Sequence, residues 1–172
     1  MKKMLPLFVL IAAFSCTTPN PNTNAKGENE LKSLEVDESI KGEEMSFKDI
    51  VYVPIYSDIY FDANHQNNLL SATLSIRNTS FKDTIFVSKI EYFNTSGDLV
   101  RKYIDNTIGI PAMGTVNYVV ERDDNSGGSG ANFIIEMSAR SAEIRPLVQA
   151  IMIGDNGNKG FSFATDGYSL LR

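Results

Sequence analysis

The chain of 172 residues has no tryptophan, one cysteine and one histidine. Each scarcity removes a class of chemistry. The lone cysteine, Cys16, cannot close an intramolecular disulfide, so stability has to come from an ordinary apolar core. A zinc site needs three or four nitrogen or sulfur ligands, and one histidine and one cysteine do not supply them. The histidine, His65, sits in Asp62-Ala-Asn-His-Gln-Asn-Asn68, a loop composition in which a solvated side chain is the plain reading and the base of a hydrolytic triad is not. Positive charge is also short, with 16 basic against 21 acidic side chains and a formal net charge of −5. Such a chain gains little from phosphate backbones or anionic headgroups, which speaks against nucleic acid as a partner. No apolar run reaches the roughly 20 residues that a membrane-spanning helix requires.

What is present begins with a short apolar run. Met1-Lys2-Lys3 gives a positive start, Met4 to Phe14 is apolar apart from its Pro6 break, and Ser15-Cys16 ends it. Residues 1–15 therefore read as a secretory signal peptide. Ala13-Phe14-Ser15-Cys16 resembles the bacterial lipobox, which implies that Cys16 is lipidated and becomes the first residue of the mature chain. Loss of Lys2 and Lys3 then leaves 14 basic against 21 acidic side chains, a formal −7. Thr17 follows the cysteine, so no aspartate retention signal is visible. The expected location is the cell envelope, on the outer membrane, with the domain in the periplasm or at the surface.

Residues 16–45 form the expected lipidated terminus and flexible linker. The stretch from Thr17 to Met45 is rich in Thr, Asn, Pro, Glu and Lys and contains no aromatic residue. It offers too little apolar surface to offset the entropy of ordering.

Residues 46–172 have the length and composition of one domain. The dominant period is two. Leu70, Ala72, Leu74 and Ile76 alternate with Ser71, Thr73, Ser75 and Arg77, and Val116, Tyr118 and Val120 repeat the device. Further strands are expected at 50–60 (interrupted by Pro54), 85–92, 99–104, 132–137, 147–153 and 160–164. Between the strands at 85–92 and 99–104, Asn94-Thr-Ser-Gly-Asp98 reads as a hairpin turn that needs Gly97 at positive φ. The expected fold is all-β: an antiparallel sandwich of about 7–9 strands, immunoglobulin-like by analogy with accessory domains of bacterial envelopes.

Four segments carry a closer resemblance: Val51-Tyr-Val-Pro-Ile-Tyr-Ser-Asp-Ile-Tyr60, Ala72-Thr-Leu-Ser-Ile-Arg-Asn-Thr79, Ser126-Gly-Gly-Ser-Gly-Ala-Asn-Phe133 and Gln149-Ala-Ile-Met-Ile-Gly154. In this order they resemble the bacterial family called domain of unknown function 3124. The resemblance implies an envelope lipoprotein with one small domain, and it implies no catalytic residue or cofactor.

The most suggestive loop is Asp123-Asp-Asn-Ser-Gly-Gly-Ser-Gly130. It lacks the Lys-Ser/Thr of a P-loop, and no helix follows to cradle phosphate. Asp123, Asn125 and Gly128 fall at positions one, three and six of a calcium loop, but Gly127 takes position five and Ile134 the place of the bidentate glutamate. Asp155-Asn-Gly-Asn158 is equally incomplete, so no metal site is expected. Carboxylate chemistry would rest on Asp123, Asp124 and Glu136. Asn78-Thr-Ser80 and Asn94-Thr-Ser96 match the N-glycosylation acceptor but read as turns, and Asp83-Thr84-Ile85 matches a short O-glycosylation motif. The expectation is a non-catalytic binding or scaffold module that meets an envelope protein or a glycan through Asp123, Asp124, Asn125, Ser126, Gly127, Gly128 and Gly130. The alternatives are a small carboxylate-based hydrolase and a structural or stress-related lipoprotein that packs by a sheet edge.

Overall fold

A computed structural model describes residues 32–36, 44–60 and 67–171. The expected signal peptide, Cys16, His65 and most of the expected linker lie outside the described residues. Twelve strands follow one another: β1 (Phe47–Pro54), β2 (Asp58–Tyr60), β3 (Asn67–Leu69), β4 (Ser71–Arg77), β5 (Ile85–Phe93) and β6 (Leu99–Lys102). Then come β7 (Ile108–Ile110), β8 (Thr115–Val120), β9 (Asn132–Ala139), β10 (Leu147–Asn156), β11 (Lys159–Asp166) and β12 (Tyr168–Ser169). No helix occurs among the described residues from 44 onward.

The strands form two main antiparallel sheets. One has the order β12-β1-β9-β5-β6, with β7 also paired to β5, and the other has the order β11-β10-β4-β8. β2 and β3 make a separate small hairpin. The alternation read from sequence decides which side faces in. Along β8, exposed Thr115, Asn117 and Val119 alternate with buried Val116, Tyr118 and Val120. Val51 and Val53 from β1, Phe133 and Ile135 from β9, Leu74 and Ile76 from β4, and Ala150 and Met152 from β10 close over one continuous apolar core.

β4 pairs with β8 in one sheet and β5 with β9 in the other, so the chain crosses between the sheets from β4 to β5 and again from β8 to β9. It crosses back once more after β9, because β10 returns beside β4 and not beside β9.

The expected linker contributes to this body. Glu35 bridges Ile108, Val36 N donates to Thr107 O at 3.0 Å, and Gly109 N donates to Leu34 O at 2.8 Å. A Cβ on Gly109 would come within 2.9 Å of Val36 Cγ1, so a glycine there lets the segment lie close.

The strand registers define two ends. Phe47, Arg77, Ile85, Ala139 and Leu147 stand at one, together with Leu34 beside Gly109; this end, where the expected linker joins, is called the tether end. Pro54, Ser71, Phe93, Val120 and Asn132 stand at the other, the distal end.

Candidate functional site

The loop from Glu121 to Ala131 leaves β8 in one sheet and enters β9 in the other, at the distal end. Its length follows from that crossing, since it spans the thickness of the sandwich and is not a hairpin turn. The β5–β6 turn, the segment before β2 and the β10–β11 turn surround it.

The loop has two halves with different jobs. From Gly127 to Ala131 it is fastened. Gly127 O accepts from Thr95 N at 2.8 Å and from Thr95 Oγ1 at 3.0 Å, and Gly130 N donates to Thr95 Oγ1 at 2.9 Å. Gly128 N donates to the buried Ser57 Oγ at 2.7 Å, Ser57 N donates to Gly128 O at 3.2 Å, and Ile55 N donates to Ala131 O at 2.9 Å. Gly128 has φ +78°, a region that L side chains resist. Thr95 is itself held by the hairpin turn, where Asn94 Oδ1 accepts from Ser96 N and Asp98 N and Gly97 has the expected positive φ of 84°.

From Glu121 to Ser126 the loop projects outward. Asp124 N donates to Glu121 O at 3.0 Å, Ser126 N donates to Asp124 Oδ1 at 3.1 Å, and Arg101 Nη2 meets Asp124 Oδ2 at 3.1 Å. Arg122 pairs with Asp155, whose carbonyl accepts from Asn68 Nδ2 at 2.6 Å, so the β10–β11 turn is joined to the same cluster. Glu121, Asp123 and Asn125 remain exposed on this frame.

Beneath the loop lies a row of rings. Tyr92 and Phe133 have centroids 5.3 Å apart, Phe133 and Tyr103 5.6 Å, and Tyr103 and Tyr118 5.2 Å. The hydroxyls of Tyr92, Tyr103 and Tyr118 are buried without a regular hydrogen bond, although that of Tyr92 comes near the Ser57 and Ser126 hydroxyls. Burial raises all three phenol pKa values, that of Tyr103 to about 12, with the neighbouring Arg101 charge offsetting part of the rise. The folded chain therefore holds these protons more tightly than the unfolded chain. Stability from this source is complete below the unfolded value of about 10 and falls as pH rises from there through about 12. We expect alkaline denaturation, followed by tyrosinate absorbance, to ionise these three phenols only as the domain unfolds. Their titration in step with exposed tyrosines in an intact fold would contradict the packing.

The structure thus separates the residues singled out in the sequence. Asp123 and Asn125 are presented to solvent, whereas Asp124, Ser126, Gly127, Gly128 and Gly130 build the loop itself. Glu136 lies four residues into β9, about 13 Å along the strand from its start, and pairs with Lys89 at 2.6 Å, which raises the lysine pKa. Asp124 is already held by Arg101 and Ser126, and among the described residues no group of three His, Cys, Asp or Glu side chains is placed to hold a metal. Ser57, Thr95 and Arg101 were not legible as loop partners, because they lie 71, 32 and 23 residues away from the positions they hold.

The model of the family described as "Protein of unknown function (DUF3124)" matches residues 48–170. No curated protein matches the chain. Among solved structures, "Crystal Structure of Thermotoga maritima 1070" aligns with a TM-score of 0.42 and 12% identity, over 70% of this chain and 92% of that one.

Proposed function

Because the chain belongs to the DUF3124 family, of unknown function, we propose a function from its own architecture: a lipid-anchored, non-catalytic binding module of the bacterial cell envelope. In this reading Cys16 carries the lipid, residues after it span the gap, and an immunoglobulin-like sandwich presents its distal end to a partner. The observation that carries the proposal is the two-part loop at 121–131. Its glycine half is bonded to Thr95 and Ser57, so its acidic half is offered on a rigid support, the usual arrangement for recognition loops. Exposed Glu121 and Asp123 suit a basic surface on another envelope protein.

A photo-crosslinking side chain at Asn125, introduced in living cells, tests this. The expected result is one reproducible protein adduct that is lost when Glu121→Lys and Asp123→Lys are added. Absence of an adduct at Asn125, or an adduct indifferent to both charge reversals, would reject the distal end as the contact.

A further inference from the structure

We propose that the tether end of the sandwich is a second interaction surface, one that docks on the phospholipid leaflet into which the chain is anchored. This rests on the reading of Cys16 as the lipid anchor.

Two side chains make the case. Phe81 is 87% exposed and Met113 is 60% exposed. They belong to adjacent loops, since Met113 N donates to Ser80 O at 3.0 Å. Neither loop is loose. Asn78, 2% exposed, donates through Nδ2 to the carbonyls of Asp83, Ile110 and Pro111 at 2.7, 3.0 and 3.0 Å, and its Oδ1 accepts from Ser80 N at 3.0 Å. Met113 is also the only described non-glycine residue at positive φ, at 59°. An unbranched apolar side chain is thus kept in water on a strained backbone where glycine would sit more easily.

Charge and geometry say what covers the pair. The loops and strand ends at this end carry Arg77, Lys82, Arg140 and Arg145 against Glu44, Asp83 and Glu143, whereas the distal end carries Asp98, Glu121, Asp123, Asp124 and Asp155 against Arg101, Arg122 and Lys159. The acidic total of the chain therefore hides an end with a small basic excess. Anionic headgroups attract such residues by about 1 kcal/mol each. Between the 79–83 and 141–145 loops lies a cleft of about 250 Å³ of mixed lining, with Phe81 and Ile144 beside Lys82 and Arg145 and beside Asp83 and Glu143, the composition of a surface that meets both headgroups and acyl chains.

The chain itself arrives at this end. Leu34 to Val36 lie antiparallel beside β7, with Leu34 toward Gly109 and Val36 toward Thr107, so the described chain enters from the end where Ile110 pairs with Ile85 and where Phe47 opens β1. Fifteen residues lie between Cys16 and Lys32, and the sixteen steps reach about 55 Å when extended, enough to let this face rest on the bilayer.

The absence of tryptophan gives a clean probe. Phe81→Trp and, separately, Asn125→Trp are made in the full chain, purified and placed in vesicles of phosphatidylethanolamine and phosphatidylglycerol. Brominated acyl chains are then added as a short-range quencher. We expect the tryptophan at 81 to shift to the blue and lose most of its emission, and the one at 125 to do neither. Lys82→Gln should lower the docked-to-free ratio about fivefold in anionic vesicles and leave it unchanged in neutral ones.

Water-exposed, unquenched emission from position 81, or equal quenching at 81 and 125, would overturn the proposal. The intact mass of the mature chain reports acylation at Cys16 separately. If the acyl mass is missing, the anchor reading fails, and the same variants held on nickel-chelating vesicles by an amino-terminal histidine tag still decide whether the end docks.

Discussion

Gly127→Ala lowers the stability of the domain by about 3 kcal/mol, at the upper end of what one added methyl costs in a tightly packed site. The Cβ would press on the Tyr92 hydroxyl and stand 2.7 Å from Tyr92 Cζ and 2.9 Å from Ala131 Cβ. Tyr92 has no accessible surface and packs on Phe133, so the ring cannot swing away. The glycine half of the loop cannot lift either without releasing its bonds to Thr95 and Ser57. Tyr92→Phe alone should be neutral or slightly stabilising, since it deletes a buried hydroxyl that has no regular hydrogen bond. In the Tyr92→Phe background Gly127→Ala should cost less, though not nothing, because Cζ remains close. A double-mutant cycle by chemical denaturation measures the coupling. Equal cost in both backgrounds would show that the hydroxyl is not what Gly127 accommodates.

Asn78→Ala is expected to cost a similar amount, about 3 kcal/mol, because it strands buried carbonyls that the amide served. Asn78→Asp keeps the shape and the acceptor but loses the donors, and it should be at least as damaging. If the aspartate were tolerated, the three carbonyls would not depend on this side chain. Both substitutions should also weaken lipid docking while leaving Phe81, Met113 and Lys82 in place, since they release the loops that present them. The same buried position answers the glycosylation motif at 78–80. A side chain with 2% exposure and four hydrogen bonds is no acceptor in the folded domain.

The strands with one wet face were the legible part of the fold. Alternation in 70–77 and 115–120 reports a sheet covered on one side, and the structure pairs the two in one sheet. β7 escaped notice because Ile108, Gly109 and Ile110 are all buried, which leaves no alternation in three residues. β2, β3 and β12 are two or three residues long and are set by their partners rather than by any pattern of their own. The loop at 121–131 was visible as long and glycine-rich. Its two roles were not, because they depend on which sheet each flanking strand joins. Gly127 illustrates the point: sequence placed it among the residues of a recognition loop, and the structure makes it the place where backbone lies directly on a phenol. The net charge was silent on distribution. A total of −5 says nothing about an acidic distal end and a tether end with a small basic excess.

The two ends of this sandwich are expected to meet different things, lipid at one and a protein at the other. In-cell photo-crosslinking from Phe81 and from Asn125 in parallel tests it most directly, with adducts sorted into lipid and protein by mass. The account predicts lipid adducts from position 81 and a discrete protein adduct from position 125. Protein adducts from both positions, or lipid adducts from position 125, would contradict it.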